Sequence, residues 1–302
     1  MGRVLRWALR IAGFACALAI LGGYLSALHP IGDSLAVFRL WLALVLAVIA
    51  IGLVLLGARR FGGAALTLAV VGAAPIALAG LVPTGLAAQD GRETRSLYQK
   101  NLLFLLSDAE PLLEDVRLTS PDFITLQEVS ASNRRQVYDA LPATYNRHIC
   151  PFAGVGAVAV AARFEPVEGS RICQEGSGLA AMQVVTPDGP VWVVSIHLHW
   201  PWPFGQAAQV EALLPVLNNL EGPVVIGGDF NMVPWSHAVR RIRAAADVEV
   251  GAPIRGTLRE RFPLMPLPID HVFTPSAPIL TYRPRLGSDH NGVLARFDLA
   301  AH

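Results

Sequence analysis

Three long apolar stretches near the N-terminal end constrain the fold of this 302-residue chain more than any other feature. They cover residues 7–28, 35–56 and 64–82. Each is close to the ~20 apolar residues that a helix needs to cross a hydrocarbon layer. The first is too long for the core of a signal peptide, and two more follow it. We therefore predict three transmembrane helices, and because their interiors lack Lys, Asp and Glu, an anchor rather than an ion pathway.

Arginine residues at the ends of these stretches predict the orientation of the chain. Arg3 and Arg6 precede the first stretch, and Arg59 and Arg60 separate the second from the third. The loop between the first two stretches carries Asp33 instead. Because cytoplasmic flanks are enriched in Arg and Lys, both arginine-bearing flanks should be cytoplasmic. We expect a multi-pass protein of the cell membrane whose remaining chain is extracytoplasmic, which means periplasmic in a Gram-negative cell.

The amino-acid composition separates the chain into two parts. Charged residues make up only 16% of the chain, whereas about 25% is typical of soluble proteins. The charge deficit lies in the first part, because residues 96–302 contain sixteen basic and twenty acidic side chains. This pattern excludes a wholly soluble protein, a disordered chain and a strongly basic nucleic-acid binder. We divide the chain into an anchor (1–86), a polar linker (87–96) and a globular domain (97–302).

Short apolar runs alternate with helical patterns in the globular part, which is typical of a layered α/β domain. We predict strands at residues 102–106, 123–128, 156–162, 181–185, 191–197, 224–228, 271–273 and 293–297. We predict helices at residues 110–118, 132–141, 206–217 and 236–246.

Two cysteines of the globular part, Cys150 and Cys173, flank an alternating apolar segment at 155–164. A hairpin there would bring the two thiols together, and disulfides persist in oxidising compartments. Two unrelated free thiols fit the sequence equally well. Cys16, inside the first apolar stretch, reads as a small buried apolar residue.

Polar side chains follow or interrupt several of the predicted strands. In α/β sheets the strand ends are where ligands bind, so these side chains are candidate site residues. Carboxylates that converge at one rim repel one another unless a cation lies among them, and Mg²⁺ prefers carboxylate, water and phosphate oxygens. The candidates are Glu128, His197, Asp229, Asn231, Asp270, Asp289 and His290.

The order of these residues carries a family resemblance. The motifs are Asn101-Leu-Leu, Leu-Gln-Glu128, Ile-His197-Leu, Gly-Gly-Asp229-Phe-Asn231, Ile-Asp270-His and Ser-Asp289-His290. Together they resemble the endonuclease/exonuclease/phosphatase superfamily, which includes DNase I-like nucleases, neutral sphingomyelinases and inositol-polyphosphate phosphatases. The resemblance covers roughly residues 98–299, and its membrane-anchored bacterial branch fits the N-terminal helices.

The resemblance implies a four-layer α/β/β/α sandwich, here preceded by three transmembrane helices, and metal-dependent hydrolysis of phosphoesters. The implied ion is Mg²⁺, with Mn²⁺ as the alternative. By this resemblance Glu128 is the main metal ligand, Asn101 helps to hold the metal site, and Asp289 lies near the metal on the opposite rim.

The same resemblance implies the catalytic roles. Asp229 would orient and deprotonate the attacking water, and Asn231 would bond a phosphate oxygen or that water. His290 would contact the phosphate, with Asp270 fixing its tautomer. His197 would lie on the scissile phosphate or the leaving oxygen.

One position departs from the family pattern. Many nuclease members carry an acidic residue two positions after the first Asn, and here that position is Leu103. The departure favours a single metal. It also weakens the case for carrying over residue roles from the abasic-site endonucleases, which are further members of this superfamily. The expected partners are a phosphoester substrate (lipid, nucleotide or nucleic acid) and the membrane, with no protein partner. The alternatives are a nuclease acting on DNA or RNA and a catalytically silent, membrane-tethered binding module.

Two further features leave alternatives open. His197 and His199 lie on one strand face, as in zinc hydrolases of another class, with His237 and His271 as the available additional ligands. The loop at 199–206 holds two Trp, a Phe and two Pro. It would either pack against the sandwich edge or project to contact a bilayer, a base or a lipid.

Overall fold

The computed structural model describes residues 2–81, 94–259 and 263–299. Its N-terminal part is helical, with α1 (Gly2–Gly22), α2 (Ile31–Val37), α3 (Arg39–Leu55) and α4 (Arg59–Leu81). α1 and α4 are long and apolar enough to cross a membrane, and α2 with α3 makes a third candidate if this pair, bent by 66°, is one span. The described part therefore contains two or three candidate spans. The predicted linker lies outside the described residues as far as residue 93.

The predicted limits of the first two apolar stretches differ from the helices. α1 ends at Gly22, and the second stretch is interrupted at Phe38, between α2 and α3. Small residues let the helices approach closely. At Gly62 of α4, for example, an added Cβ would overlap the Val54 side chain of α3.

The globular part contains twelve strands and three helices among the described residues. The first sheet is formed by β1 (Arg95–Asn101), β2 (Phe123–Val129), β3 (Asn146–Ala153), β4 (Gly156–Ala162), β11 (Ile279–Arg283) and β12 (Gly292–Phe297). The second sheet is formed by β5 (Ile172–Cys173), β6 (Leu179–Thr186), β7 (Gly189–His197), β8 (Val224–Asp229), β9 (Glu249–Val250) and β10 (Asp270–Thr274). The helices are α5 (Glu110–Thr119), α6 (Gln206–Asn218) and α7 (His237–Ala246).

The two six-stranded sheets pack face to face and are covered on their outer faces. Their strand orders are β11-β12-β1-β2-β4-β3 and β5-β6-β7-β8-β10-β9. A central apolar cluster, which includes Phe123, Val193 and Phe297, fills the space between the sheets. One outer cluster joins α5 to the first sheet, and another joins α6 and α7 to the second. This arrangement confirms the α/β/β/α sandwich.

The predicted helix at 132–141 is wrong, because this segment is a series of turns. Polar side chains there bond to nearby backbone and compete with helical bonding. Asn133 accepts from the Ser130 amide at 2.9 Å and donates to the Glu128 carbonyl at 2.9 Å. Ser132 donates to the Phe104 carbonyl at 2.8 Å.

The predicted strand at 102–106 is also wrong, because β1 covers Arg95–Asn101 and thus includes the end of the predicted linker. Leu103 has φ +64°, a left-handed conformation that ends the strand. Four further strands, β3, β5, β9 and β11, were not predicted from the sequence. The edge strands β3 and β11 are largely half-exposed, and β5 and β9 have two residues each, so none shows the apolar pattern of a buried strand.

A disulfide joins Cys150 to Cys173. Cys150 lies in β3 and Cys173 in β5, so the bond connects an edge strand of the first sheet to an edge strand of the second. The link is therefore made between the sheets and not within a hairpin at 155–164, where the chain instead forms the single strand β4.

The short helix α2 attaches the N-terminal helices to the globular part. Both carboxylate oxygens of Asp33 accept hydrogen bonds from the start of α7: from the His237 amide at 2.7 Å and the Ala238 amide at 3.0 Å. The indole of Trp235 donates to the Ala36 carbonyl at 2.9 Å. Ala36 and Val37 belong to the same apolar cluster as α6 and α7. The helical region and the sandwich thus share a packed core.

A buried carboxylate outside the strand ends ties α5 to the first sheet. Asp115 accepts from the Tyr98 hydroxyl at 2.6 Å and forms an ion pair with Arg283. Burial alone would raise the pKa of Asp115, but the bonds from Arg283 and Tyr98 outweigh burial and hold this pKa below its usual value.

We predict that Asp115→Asn destabilises the full-length protein by about 2 kcal/mol at pH 7, because bonds to a charged group are lost. A carboxylate with a lowered folded pKa stabilises the fold above its unfolded pKa of about 4 and loses that effect as pH falls. The difference in stability between Asp115→Asn and the wild type should therefore shrink below about pH 4. Thermal unfolding in detergent measures this difference. As a control, Asp139→Asn, at an exposed pair 3.8 Å from Arg134, should change stability little. An equal effect of both substitutions contradicts this account.

We also predict that Asp33→Ala weakens the start of α7, because two of its first amides lose their acceptor. Hydrogen exchange at the His237 and Ala238 amides should become about tenfold faster, as for a lost helix cap. Mass spectrometry of the full-length protein measures this rate. Ser34→Ala is the matched control, because Ser34 bonds to the Trp202 carbonyl and not to α7. Unchanged exchange in Asp33→Ala would show that Asp33 does not cap α7.

Candidate active site

Four of the eight predicted site residues lie at the ends of two parallel strand pairs, one in each sheet. Asn101 is the last residue of β1, and Glu128 is the penultimate residue of the parallel strand β2. His197 and Asp229 end the parallel strands β7 and β8 and lie opposite each other. Asp270 begins β10 and pairs with Asp229 from the other side. The strand ends of both sheets therefore meet in one place.

The two glycines before Asp229 allow this meeting. A Cβ at Gly227 would overlap the Thr125 hydroxyl and contact Leu97 in the opposite sheet. A Cβ at Gly228 would overlap the backbone of Ile196 in the neighbouring strand. Any larger residue at either position would push the sheets or strands apart, which explains the Gly-Gly pair physically.

Glu128 points into the site because its strand is irregular. The register of β2 against β4 shifts between Leu126 and Val129, and Glu128 has φ +58°. Its carboxylate accepts from the Phe104 amide at 2.8 Å and the Asn101 side-chain amide at 3.1 Å. Burial raises the pKa of Glu128, and these donors offset only part of that rise. The carboxylate is thus held rigidly in a half-buried position.

Asp229 is almost wholly buried and fixed through both oxygens. Its Oδ2 accepts from Asn101 Nδ2 at 2.9 Å, and its Oδ1 accepts from the Asn231 amide at 2.9 Å. Asn231 has φ +46° and donates its side-chain amide to the Leu198 carbonyl at 2.8 Å. Burial raises the pKa of Asp229 to about 7, although the charge of His290 opposes this rise. Near neutral pH this carboxyl group is poised to exchange a proton.

His290 and Asp270 form a buried pair. His290 Nδ1 lies 2.7 Å from Asp270 Oδ2, and Gln99 donates to the other Asp270 oxygen at 2.9 Å. Burial alone would lower the pKa of His290, but Asp270 and Asp229 raise it to about 10. The same pair holds the pKa of Asp270 low despite burial. The imidazolium therefore presents Nε2 as a donor, 3.9 Å from Asp229 Oδ2.

His197 differs from His290 because it is neutral. Burial lowers the pKa of His197 to about 3. Its Nε2 lies 3.6 Å from Asp229 Oδ2, and its Nδ1 is buried without a hydrogen-bond partner among the described residues. The Phe152 ring lies against both His197 and His199. A neutral ring of this kind can accept a bond from a ligand through its unprotonated nitrogen or donate its N–H to a leaving oxygen.

Six of the eight predicted residues line a single cavity of about 530 Å³. They are Glu128, His197, Asp229, Asn231, Asp289 and His290. The other two, Asn101 and Asp270, lie behind the wall and hold its carboxylates and imidazole in place. Asp289 is the more peripheral acid, with Oδ1 3.9 Å from His290 Nε2. The structure thus brings together every residue that the motifs predict.

The donor atoms fit a hard divalent cation. Ligand atoms of Glu128, His197 and Asp229 all lie within 4.8 Å of one another. A second group, formed by Asp229, Asp270 and His290, satisfies the same distance, but its imidazole is already bonded to a carboxylate. Two carboxylates beside an open cavity are the donor set that Mg²⁺ prefers, with water and phosphate oxygens completing its shell.

The alternative zinc site is not formed by the described residues. Neither group of close ligand atoms there includes His199, His237 or His271. His237 begins α7, and His271 Nε2 lies 2.8 Å from the Met232 carbonyl.

The loop at 199–206 contacts both the cavity and the N-terminal part. Its Trp200 and Phe204 line the cavity, while Trp202 lies against His29 of the N-terminal part.

Lys100 is a buried residue beside the site that was not predicted from the sequence. It is wholly buried in β1, and its ammonium donates to the Arg285 and His290 carbonyls, both at 2.6 Å. Burial lowers the pKa of Lys100 to about 7, although Asp270 and Asp289 oppose the change. It is the only lysine in the sequence, which contains 23 arginines. This exceptional choice of Lys over Arg was the one sequence signal that could have drawn attention to the position.

The polar network behind the site was also not predicted from the sequence. Gln99 donates to Gln127 at 2.9 Å, and Gln127 donates to Ser195 at 3.0 Å, linking the two sheets. On the second sheet, Gln209 donates to the His197 carbonyl at 2.9 Å and accepts from the His199 amide at 2.7 Å. In a sequence, neither the residue type nor the spacing of these glutamines distinguishes them from glutamines on the surface.

The comparison with family models matches residues 99–290 to the model described as "Endonuclease/Exonuclease/phosphatase family". The chain belongs to the endonuclease/exonuclease/phosphatase family. Members of this family are metal-dependent phosphoester hydrolases, and this chain is accordingly an enzyme of that class. The comparison with curated proteins finds no match.

Solved structures of low sequence identity share the fold of this family. D. rerio TDP2, complexed with a single-strand DNA product, is 20% identical with a TM-score of 0.55, covering 68% of this chain and 100% of its own. The catalytic domain of human nocturnin, with bound sulfate, is 16% identical with a TM-score of 0.53, covering 69% and 96%. A double mutant of Staphylococcus aureus beta toxin, with bound magnesium ions, is 12% identical with a TM-score of 0.50, covering 68% and 100%.

We predict that Lys100→Met lowers kcat about 10- to 100-fold with a smaller change in KM, because the loop that carries Asp289 and His290 loses its support. Steady-state kinetics on a soluble phosphodiester measures both constants. Tyr98→Phe is the matched control: it lies on the same face of β1 and loses a bond to Asp115. It should lower thermal stability but keep kcat. A fall in stability alone for Lys100→Met would show that Lys100 has only a structural role.

Proposed function

We propose that this chain is a membrane-anchored phosphodiesterase or phosphatase that uses Mg²⁺, with Mn²⁺ as the alternative ion. The observation that carries the proposal is the shared clamp of Asn101, whose amide bonds both Glu128 and Asp229 at 3.1 and 2.9 Å. This clamp holds two carboxylates at cation spacing beside the positively charged His290. The ion would be held by Glu128, with Asn101 supporting the site and Asp289 at the opposite rim.

When bound, the cation would supply Lewis-acid charge to the phosphate and make a water easier to deprotonate. Asp229 accepts the proton of the attacking water, because its two oxygens are fixed and its pKa is raised by burial. Asn231 orients that water or a phosphate oxygen. His290, held by Asp270, donates from Nε2 to the phosphate. His197, with its neutral ring, lies next to Asp229 and contacts the phosphate or the leaving oxygen.

Three observations support a membrane location with an extracytoplasmic catalytic domain. Two or three N-terminal helices are long and apolar enough to cross a membrane. Arginine residues precede the first apolar stretch and lie in the connection before the third, which favours a cytoplasmic position for both of these segments. The bond between Cys150 and Cys173 favours an oxidising compartment.

The surroundings of the cavity favour a phosphoester at the membrane surface. Trp200 and Phe204 line the cavity and are 38% and 67% exposed. The neighbouring Trp202 contacts the N-terminal part through its carbonyl, which accepts from Ser34 at 2.9 Å. The aromatic side of the cavity is thus next to the end of the anchor, where a lipid phosphoester would be presented.

A nuclease is the second candidate. Exposed aromatic side chains at a catalytic cavity can also stack on bases, and D. rerio TDP2, which shares the fold, was solved with single-strand DNA. The sixteen basic against twenty acidic residues after residue 95 provide little charge for binding a nucleic-acid backbone. A silent binding module is disfavoured because none of the eight motif residues is replaced.

The test is metal-dependent hydrolysis by the full-length protein in detergent micelles, assayed on phospholipids, nucleotides, inositol phosphates and single- and double-stranded nucleic acids. Asp229→Asn and Glu128→Gln should each lower the rate by about 10²- to 10⁴-fold, because they remove the proton acceptor and the main ligand. EDTA should abolish activity, and added Mg²⁺ should restore it.

Asp139→Asn is the control for these substitutions, because it makes the same Asp-to-Asn change at an exposed position. Hydrolysis of lipids above all other substrates supports the membrane-surface assignment, whereas preference for DNA or RNA favours the nuclease. Absence of both divalent-metal binding and hydrolysis on the whole panel would leave the binding module as the function.

A further inference from the structure

A second cavity, of about 460 Å³, lies where the anchor meets the catalytic domain. We name it the junction cavity. Its anchor wall is formed by Leu40 and Trp41 of α3 and by Ile76 and Ala77 of α4. Its other wall comes from the catalytic domain and includes Trp235 and Leu267. The described lining is thus mainly apolar, with Arg255 as its charged side chain, and the cavity is separate from the catalytic cavity.

The junction cavity lies at one end of the candidate spans. Leu40 and Trp41 are in the first turn of α3, and Ile76 and Ala77 are in the last two turns of α4. In antiparallel membrane helices these two ends are on the same side of the bilayer. Ala77 is exposed, so the cavity opens outward from α4. Tryptophans such as Trp41 are enriched at the boundary between hydrocarbon and water.

We infer that the junction cavity binds an acyl chain of a membrane phospholipid, an inference that rests on the membrane location in the proposed function. Apolar side chains are covered more favourably by hydrocarbon than by water. Here it opens from a membrane helix, so the apolar material next to it is the lipid tail. The exposed Arg255 lines the same cavity and provides a cation for the phosphate of the headgroup.

A bound lipid would contact the segment that supports the catalytic pair. Residues 254–256 line the junction cavity, and the next residue, Thr257, accepts from the Asp270 amide at 3.2 Å. Leu258 lines the catalytic cavity and is bridged to both Leu267 and His290. The two cavities therefore lie on opposite sides of one short segment, and the bound lipid is a structural ligand rather than the molecule that is cleaved.

Photolabelling tests this inference. The full-length protein is placed in nanodiscs that contain a phospholipid with a diazirine near the end of one acyl chain, irradiated, and mapped by mass spectrometry. Label is expected on Trp235 and on the segments that contain Arg255 and Leu267. Ala77→Trp should lower this label about tenfold, because its side chain fills the cavity.

Ala64→Trp is the matched control, because it places the same side chain on an exposed position of α4 away from the cavity. It should leave the label on the catalytic domain unchanged. Both variants should keep a cooperative thermal transition like that of the wild type, which shows that they fold. Leu40→Trp, from the opposite wall, replaces Ala77→Trp if the latter lacks a cooperative thermal transition.

Two results would overturn the inference: no label on the catalytic domain of the wild-type protein, or equal label in the wild type and the cavity-filling variant. Labelling does not require turnover, so Asp229→Asn should be labelled like the wild type. A negative labelling result with intact hydrolysis therefore rejects the lipid site alone. Labelling without hydrolysis rejects the proposed enzymatic activity alone.

Discussion

The burial of carboxylates where two sheets meet is the interaction on which the rest of this structure depends. Removing a charge from water is costly unless the charge is paired and hydrogen-bonded. Asp229 and Asp270 are nearly wholly buried, and each receives donors through both oxygens, from Asn101, Asn231 and Gln99 among others. These bonds fix the groups before any ligand arrives, which is what electrostatic preorganisation requires.

The motifs predicted the site better than the periodicity predicted the fold. Asp229 and His290 are far apart in sequence, yet their strand-end positions implied a common rim, and the structure places them there. Local periodicity failed where bonds to other parts of the chain decide the conformation. The turns around Asn133 exist because its side chain bonds the Glu128 backbone, and that bond is invisible before the fold is known. Edge strands such as β3 lack a buried face and so lack the pattern.

The N-terminal helices and the globular part are parts of one packed structure. Asp33 accepts from α7, and Ala36 is wholly buried in the core of the second sheet. Trp202 contacts Ser34 and His29 of the N-terminal part and belongs to the loop that lines the site cavity. The orientation of the site cavity relative to the candidate spans is thus fixed by short contacts.

The identity of Lys100 has a practical consequence. The chain contains a single lysine, and its amine is enclosed between β1 and the loop that carries His290. Reagents that acylate amines therefore find no accessible lysine side chain while this loop is closed. The rate of acylation at this one position thus reports how often the catalytic loop lifts from the sheet, without an introduced probe.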